Sequence, residues 1–401
     1  MTSTVLVLNA GSSSVKFSLY RGRDAVLRGA VEGLGDAPQL RVLATRAGPG
    51  AAPATRAASA PPGVTPLPRE CDHAAAVLHV RDAVARHAAG LALDAVGHRV
   101  VHGGMRYSAP VRVTQRVQDE LDSLVPLAPL HQPQSLAAIR ALAQDAPSLP
   151  QVACFDTQFH RTQPEVAQAY ALPPEVVAHG IRRYGFHGLS YEHVADRLPA
   201  LDARAAGGRT VVAHLGNGAS MCALREGRSV ATTMGFTALD GLMMGTRAGS
   251  LDPGVLLYLQ STLGYGVDDV TRLLYEQSGL LGVSGVSADM RTLLASADPR
   301  AAAAVELFCY RAGRELGSLA AALGGLDALV FTGGIGEHAA PVRERIVRAA
   351  AWLGLALDLE ANARHASCIT LASSAVPAYV VAADEEAVIV RQTRRVLGLA
   401  D

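Results

Sequence analysis

The first twenty residues alternate between apolar and polar positions in a way that predicts two short strands around a turn. Residues 5–8 are continuously apolar, and in residues 15–19 apolar side chains alternate with polar ones, which is the period of a strand. Residues 9–14 between them are polar and include Gly11 and three serines. The pattern is a strand–turn–strand hairpin, because no helix follows the turn as it would in a Walker loop.

This turn is a candidate phosphate cradle. Gly11 lets the backbone approach a ligand, and hydroxyl and amide side chains surround it. Lys16, the only lysine in the chain, follows two residues after the turn and would bind a phosphate oxygen as a point charge. The alternative is an ordinary polar turn with a surface lysine.

A second stretch, residues 210–230, has the same shape of strand, Gly-rich polar turn, strand, tight turn and third strand. A shift of 205 positions aligns Gly11 with Gly216, Leu19 with Leu224, Gly22 with Gly227, and Arg23 with Arg228. Two such hairpins predict a duplicated architecture, with one hairpin on each side of a polyphosphate.

Hydrophobic periodicity predicts the remaining elements. We expect strands over residues 94–101, 151–155, 328–332 and 376–382. We expect helices over residues 72–89, 118–124, 135–144, 254–263, 267–278, 300–323 and 386–397, and from residue 191. Residues 36–68 contain seven prolines, which predicts a surface excursion of strands joined by a mobile loop. Residues 234–254 predict a Gly-rich loop with exposed methionines.

Polar residues follow several of these strands, at the position where α/β proteins bind ligands. Arg99 lies near the end of one strand, Asp156 directly follows another, and the turn at residues 333–338 follows a third. Acidic residues 384–386 begin the last helix, where they also suit the helix dipole. An acid after a strand is alternatively a helix cap.

Composition excludes several classes of protein. A length of 401 residues favours about two domains, and 49% hydrophobic residues suffice for their cores. A net charge of +0 and 4% aromatic residues give no basis for nucleic-acid or acidic-membrane binding. We expect no signal peptide and no membrane span. The five scattered cysteines lack a Cys-x-x-Cys pair, so we expect free core thiols in a reducing cytoplasm rather than zinc or disulfides.

Eight segments, in this order, resemble the acetate kinase family closely and over nearly the whole chain: NAGSSSVKFSLY, GHRVVHGG, APLHQP, FDTQFH, RRYGFHG, HLGNGAS, GFTALDGLMMGTRAGSLDPG and FTGGIGEH. The resemblance implies an α/β fold of duplicated ribonuclease H-like (actin-like ATPase) domains, each a mixed sheet flanked by helices, with an interdomain cleft. It places the domains at residues 1–155 plus 385–401 and 156–384. It implies reversible, Mg²⁺-dependent (or Mn²⁺-dependent) phosphoryl transfer from ATP to acetate in a cytoplasmic homodimer.

The resemblance also assigns roles to individual residues. Catalysis and transition-state stabilisation fall to Arg99, Asp156, His187 and Arg247, with His131 nearby. The metal falls to Asn9 and Glu385, with Glu386 as an alternative one residue away. Carboxylate binding falls to Arg99, Val101, Leu130, Phe186 and Ala238. Nucleotide and phosphate binding falls to Ser12, Ser14, Lys16, His214, Leu215, Gly216, Asn217, Gly218, Asp289, Met290, Arg291, Gly334, Ile335, Gly336 and His338. His102 and His160 are expected to be structural.

The chemistry agrees with such a set. The acceptor carboxylate is already ionised near neutral pH, so the reaction needs no strong base. It needs two anions to be brought together, and fixed guanidinium, imidazole and metal charge supplies that.

The chain departs from the family pattern at several positions. Ala238 stands where proline is usual, which enlarges the methyl pocket and allows propionate. Asp240, His338, Leu189 and Tyr191 replace the usual Glu, Asn, Thr and His. Propionate or butyrate kinase is therefore the alternative enzyme, butyrate being disfavoured by Phe186. A non-catalytic ATP-binding regulator or chaperone is the alternative from another class. We disfavour it because Arg99, Asp156 and Arg247 are present and the sequence leaves no room for an added DNA-binding or peptide-binding domain.

Overall fold

The structure is a computed structural model that describes residues 2–44, 63–88 and 90–400. The chain divides into two compact units. Unit 1 comprises Met1–Gln158 and Asp384–Asp401, and unit 2 comprises Phe159–Ala383.

Unit 1 contains a mixed sheet of eight strands in the order β5-β4-β3-β2-β1-β6-β8-β7. The strands are β1 (Thr4–Ala10), β2 (Ser14–Arg21), β3 (Asp24–Glu32), β4 (Gln39–Ala44), β5 (Gly63–Pro66), β6 (Ala95–Val100), β7 (Val111–Arg112) and β8 (Gln151–Phe155). The helices that precede β8 are α1 (His73–His87), α2 (Gln115–Asp122) and α3 (Gln132–Asp145). β4 and β5 lie at the two ends of the Pro-rich segment, and the mobile loop expected between them lies outside the described residues.

Unit 2 contains a second mixed sheet, in the order β11-β10-β9-β12-β13. Its strands are β9 (Arg209–Leu215), β10 (Ala219–Arg225), β11 (Arg228–Thr232), β12 (Ala328–Thr332) and β13 (Ala378–Val380). Its helices are α4 (Glu165–Gln168), α5 (Pro174–Val177), α6 (Gly188–Leu201), α7 (Ala203–Gly207), α8 (Pro253–Ser261), α9 (Val267–Glu276), α10 (Gly279–Ser284), α11 (Met290–Ala295), α12 (Pro299–Leu323), α13 (Gly333–His338), α14 (Ala340–Ala349) and α15 (Leu359–Ala363).

The last helix, α16 (Glu385–Leu397), belongs to unit 1 and packs against β1, β6 and β8. Asp384 caps its N-terminus by accepting from the amide of Ala387, and Gly398 ends it in the left-handed conformation, at φ 67°. A Cβ on Gly97 of β6 would overlap Ile389 and Thr393, so glycine is needed for α16 to approach the sheet. This contact places the start of α16 at the sheet edge that carries the polar residues.

Five strands of the larger sheet share the topology of the smaller sheet, which agrees with the fold class that the sequence predicts. In unit 1, β3, β2 and β1 are antiparallel, and β6 and β8 then add in parallel. In unit 2, β11, β10 and β9 are antiparallel, and β12 and β13 add in parallel. Each unit is therefore a mixed α/β sheet with the same strand order and strand directions, as in a duplicated actin-like fold.

The alignment of the two hairpins changes in one respect. The shift of 205 holds for the first strands, but the second strands are offset by 204, because Leu19 pairs with Leu6 while Ala223, not Leu224, pairs with Val211. The turn of the first copy is one residue longer. Consequently Glu226, with φ 53°, takes the place of Gly22 rather than Gly227.

The Gly-rich turn predicted at residues 333–338 is wrong, because these residues form the short helix α13. Other differences lie at element ends and in one loop. α2 and α3 each begin three residues before the predicted starts, since Thr114 caps α2 and a proline occupies the first turn of α3. The expectation of exposed methionines is wrong. Met234, Met243 and Met244 are at most 5% exposed, because the loop folds back through hydrogen bonds such as the one from the Leu280 amide to the Met244 carbonyl.

No helix in the described part of the chain is long and apolar enough to cross a membrane. All five cysteines are free thiols, and Cys368 is the exposed one.

Candidate active site

An arginine and an aspartate meet where two parallel strands of unit 1 end. Val100 of β6 pairs with Phe155 of β8, so Arg99 and Asp156 reach the same sheet edge. Arg99 Nε donates to both Asp156 oxygens, at 3.0 and 3.1 Å, and Nη2 donates to Oδ2 at 2.7 Å. Burial alone would lower the pKa of Arg99, but the charges of Asp156 and Glu385 outweigh it and raise that pKa above its usual value. The edge therefore holds a permanent, oriented cation.

Two further side-chain oxygens lie beside this guanidinium. Arg99 Nη1 is 3.5 Å from Asn9 Oδ1 and 3.7 Å from Glu385 Oε2. Amide and carboxylate oxygens are ligands that Mg²⁺ accepts, together with water and phosphate oxygens. The described residues include no cluster of three His, Cys, Asp or Glu that could hold a metal ion. The oxygens of Asn9 and Glu385 are candidate ligands for a divalent cation that takes its other ligands from water or phosphate.

Glu386 has different partners from Glu385. Its Oε2 accepts from Ser18 Oγ at 2.7 Å and lies 3.5 Å from Arg28 Nε. These contacts hold it against β2 and β3. Of the two glutamates, Glu385 is the one beside Arg99 and Asn9.

The first hairpin turn is supported by a residue that the sequence did not single out. The Gly11 amide donates to the Ser14 carbonyl at 2.8 Å, and His73 Nε2 donates to the Gly11 carbonyl at 2.7 Å. Ser12 is exposed on this turn, as is Lys16 on β2, opposite Asn9. The turn and the start of β2 thus present hydroxyl and ammonium groups to solvent. The hydrogen bond from His73 of α1 holds the backbone of the turn in place.

The residues expected around the carboxylate methyl are divided between the units. Val101 and Leu130 are half-buried in unit 1, where His131 occupies the N-cap position of α3 without a capping side-chain hydrogen bond. In unit 2, Phe186 is buried and Ala238 is half-buried.

In unit 2, two imidazoles stack beside the second hairpin turn. The rings of His187 and His214 are 4.3 Å apart. His187 occupies the N-cap position of α6 in the left-handed conformation, with φ 57°, which is unusual for a residue with a side chain. Its Nδ1 is 2.9 Å from Ser220 Oγ, and Ser190 Oγ is 2.8 Å from His214 Nδ1. Both rings are therefore fixed through hydroxyl groups.

His160 supports the loop that carries His187. Its Nε2 lies 2.9 Å from the Phe186 carbonyl, which can only accept, so Nε2 is the protonated nitrogen. Nδ1 is 3.0 Å from Ser229 Oγ. Burial lowers the pKa of His160 to about 4, so the ring stays neutral. A Cβ on Gly185, at φ 76°, would overlap the His160 ring.

The second hairpin turn is tight and closely packed. The Gly216 amide donates to the Gly218 carbonyl at 3.0 Å, and the Gly245 amide donates to the Asn217 carbonyl at 2.9 Å. A Cβ on Gly245 would overlap Asn217 Oδ1. The loop of residues 234–254 thus packs directly against this turn at Asn217.

A cavity of about 360 Å³ in unit 2 adjoins this turn. Three segments that are distant in sequence line it: the second hairpin turn, the start of α11 and the helix α13. Eight of its lining residues are those that the resemblance assigns to the nucleotide, and Ala339 is an addition. The lining residues are Gly216, Asn217, Asp289, Met290, Arg291, Gly334, Ile335, His338 and Ala339.

The remaining nucleotide candidates do not line this cavity. Leu215 is fully buried in β9, and a Cβ on Gly333, at φ 78°, would meet its carbonyl. Gly336 is buried within α13. Gly218 lies against His187, whose Nε2 would be 3.2 Å from a Cβ at that position.

Asp289 and Arg291, which both line the cavity, form an ion pair with 3.0 Å between Arg291 Nη2 and Asp289 Oδ2. The hydrogen bond from Arg291 lowers the pKa of Asp289. Asp289 Oδ1 also caps α11 by accepting from the amides of Arg291 and Thr292.

A buried arginine, which sequence reasoning missed, holds the far end of α13. Arg343 is 0% exposed and its Nη1 donates to the carbonyls of Gly336 and Glu337, at 2.9 and 2.7 Å. Its Nε donates to Asn362 Oδ1 at 2.8 Å, and burial lowers its pKa to about 10. The guanidinium satisfies C-terminal carbonyls of the helix that lines the cavity.

Arg247 is bonded to its own loop, the loop of residues 234–254. Its Nη1 donates to the Ala238 carbonyl at 3.1 Å. Asp240 in the same loop pairs with Arg183 Nη1 at 3.0 Å and accepts from Ser250 Oγ. The position that departs from proline is therefore directly connected to a predicted catalytic arginine.

Comparisons with known proteins agree with this architecture. The sequence model of the acetokinase family matches residues 4–391. An acetate kinase of Rhodopseudomonas palustris is 53% identical over 408 residues, covering 98% of each chain. The crystal structure of Porphyromonas gingivalis acetate kinase superposes with a TM-score of 0.85 at 37% identity, covering 98% of this chain and 100% of that one. That of a Francisella tularensis propionate kinase superposes with a TM-score of 0.89 at 36% identity, covering 98% and 99%. The chain is a member of the acetokinase family.

Proposed function

We propose that this protein is an acetate kinase, which transfers the γ-phosphoryl group of ATP to acetate and runs reversibly. The observation that carries the proposal is the Arg99 guanidinium, fixed by buried Asp156 at a sheet edge beside the oxygens of Asn9 and Glu385. This is an anion site with cation ligands next to it, which suits a carboxylate substrate and a metal–nucleotide complex.

In the forward reaction an acetate oxygen attacks the γ-phosphorus, and the bond to the bridging oxygen breaks with its electrons leaving on ADP. Arg99 binds the carboxylate and reduces its repulsion from the triphosphate. His187 and Arg247 donate to the equatorial oxygens of the transferring group. Mg²⁺, held by Asn9 and Glu385, would neutralise phosphate oxygens when bound with the nucleotide. Asp156 orients Arg99, as all three of its short contacts to that side chain indicate.

The nucleotide is proposed to occupy the cavity between the second hairpin turn, α11 and α13. The backbone amide of Asn217 would bind a phosphate oxygen, and Asp289, Ile335 and His338 would contact the nucleoside. The lining supports this assignment, because it combines two glycines, Gly216 and Gly334, with polar and apolar side chains.

We further propose that propionate is accepted. Ala238 has no ring to fill the space that proline would occupy, and one buried CH₂ is worth about 0.8 kcal/mol. One assay tests both the proposed activity and the range of carboxylates that the protein accepts. Acyl phosphate formed from Mg-ATP is trapped with hydroxylamine, with formate, acetate, propionate and butyrate compared. We expect acetate and propionate to give hydroxamate. Protein that binds ATP but phosphorylates no carboxylate would contradict the proposal and favour a non-catalytic role.

We propose that the protein works as a homodimer in the cytoplasm. α8 has no buried residue, and exposed large apolar side chains continue on both sides of it: Leu251, Val255, Leu257, Tyr258, Leu263, Tyr265 and Val267. A second copy of the chain would cover this patch. The free thiols support a reducing compartment.

The dimer is tested by sedimentation. Leu257→Asp should give monomers, whereas Val166→Asp, at a still more exposed apolar position outside the patch, should not. A monomeric parent protein would contradict the proposed dimer.

A further inference from the structure

A buried chain of hydroxyl groups leads to His187 in unit 2. Tyr191 of α6 and Ser220 of β10 are both 0% exposed. Tyr191 Oη is 2.5 Å from Ser220 Oγ, and Ser220 Oγ is 2.9 Å from His187 Nδ1. The serine hydroxyl thus lies between a phenol and an imidazole.

The surroundings of Tyr191 decide the direction of the first hydrogen bond. The ring packs in an apolar cluster with Val194, Leu198 and Val212. Burial raises the pKa of Tyr191 well above its usual value, so the phenol keeps its proton. A buried hydroxyl proton that is not donated is costly. The phenol therefore donates to Ser220 Oγ, the acceptor within reach.

The second hydrogen bond follows from the first. Because Ser220 Oγ accepts from Tyr191, its own proton is directed at its other neighbour, His187 Nδ1. Nδ1 is then an acceptor, and the neutral imidazole carries its proton on Nε2. The reverse arrangement, with Nδ1 protonated and Ser220 donating to Tyr191, would leave the phenol proton buried without a bond.

Nε2 points toward the second hairpin turn. A Cβ on Gly218 would lie 3.2 Å from it, and the stacked His214 ring holds the plane of His187. A protonated Nε2 is a hydrogen-bond donor beside the turn that is proposed to bind phosphate. An unprotonated Nε2 would direct a lone pair at anionic oxygens instead.

We infer that Tyr191 and Ser220 are positioning residues that fix His187 as the Nε2–H tautomer, so that it donates to the phosphoryl group during transfer. The tautomer follows from the hydrogen bonds alone. Its use in transfer rests on the proposed function.

The test is ¹⁵N NMR of the full-length protein, labelled at histidine and free of substrates. The His187→Gln spectrum identifies the His187 signals. In the parent protein we expect an unprotonated Nδ1 and a protonated Nε2. Tyr191→Phe and Ser220→Ala should each raise the population with a protonated Nδ1. Tyr379→Phe is the matched control, because it removes another phenol of unit 2, bonded to Asp202 at 2.9 Å, and should leave the signals unchanged.

Kinetics provide the second readout. Since only the Nε2–H fraction would be competent, kcat of Tyr191→Phe should fall roughly twofold to tenfold with little change in KM for ATP. An unchanged tautomer population in both Tyr191→Phe and Ser220→Ala would overturn the inference. If Tyr191→Phe does not fold, Ser220→Ala decides alone. The NMR experiment measures the tautomer without turnover. If the protein proved not to be a carboxylate kinase, the tautomer assignment would still be tested separately.

Discussion

Replacement of Arg99 by methionine should destabilise unit 1 strongly, and a second replacement should restore much of the loss. Asp156 is 2% exposed and accepts three hydrogen bonds from Arg99. Arg99→Met would leave that carboxylate buried without its cation, which costs about 3–5 kcal/mol. For a unit of 150–250 residues, 1 kcal/mol lowers Tm by about 2–4 °C, so the expected decrease is about 6–20 °C.

Asp156→Asn should cost less, because Arg99 keeps Asn9 and Glu385 as neighbours. The double variant contains no buried anion and should be more stable than Arg99→Met. The expected coupling energy is about 2–3 kcal/mol, at the upper end for contacting residues. Activity should not return with stability, since an arginine that stabilises a phosphoryl transition state is worth about 10³–10⁵ in rate.

The assay is thermal unfolding of the four proteins in parallel with acetate-dependent ATP turnover. The surface pair Arg140–Asp122 in the same unit is the control. Its side chains are 43% and 44% exposed, so its coupling should be below about 1 kcal/mol. Additive effects of the Arg99 and Asp156 substitutions would refute the reasoning.

Three further predictions concern substrate breadth, acid stability and nucleotide affinity. Ala238→Pro keeps the carbonyl that binds Arg247 but fills the proposed substrate pocket with the proline ring. The propionate-to-acetate ratio of kcat/KM should therefore fall about fourfold for each methylene group that the pocket can no longer bury. An unchanged ratio would show that Ala238 does not determine substrate choice. Burial lowers the pKa of His98, His102 and His160 to about 4, so below pH ~6.5 the unfolded chain binds protons that the folded chain does not. Each histidine should therefore reduce the free energy of unfolding by up to about 3 kcal/mol as pH falls toward 4. Denaturant midpoints that stay constant from pH 7 to 4.5 would contradict this prediction. Arg343→Met should lower the free energy of unfolding by about 2–4 kcal/mol. Because α13 lines the proposed nucleotide cavity, KM for ATP should rise more than KM for acetate. Equal changes in both constants would show that the position of α13 does not depend on this side chain.

The parts of the fold that the sequence predicts are those with local causes. The two hairpins follow from period-2 alternation around Gly-rich turns, and both are present. The shared position of Arg99 and Asp156 could be predicted from the sequence, because parallel strands end at a common sheet edge. Their direct bonding to each other was not, because nothing in the sequence specifies which side chain an arginine will bind.

The supporting contacts depend on packing between distant segments, and local sequence carries no signal for them. Tyr191 and Ser220 are 29 positions apart, and His73 reaches Gly11 across 62 positions. Arg343 looks like a surface residue of an amphipathic helix, yet it is fully buried. The register of the second hairpin differed by one because turn length, not residue identity, sets strand pairing.

The central claim is that a carboxylate receives the γ-phosphoryl group of ATP. The most direct measurement is ³¹P NMR of the protein with Mg-ATP and acetate, followed by the reverse reaction from acetyl phosphate and Mg-ADP. We predict an acetyl phosphate resonance that grows as the γ-phosphate signal declines, and formation of ATP in the reverse direction. Bound nucleotide whose γ-phosphate is unchanged, or is released only as inorganic phosphate regardless of acetate, would contradict the account.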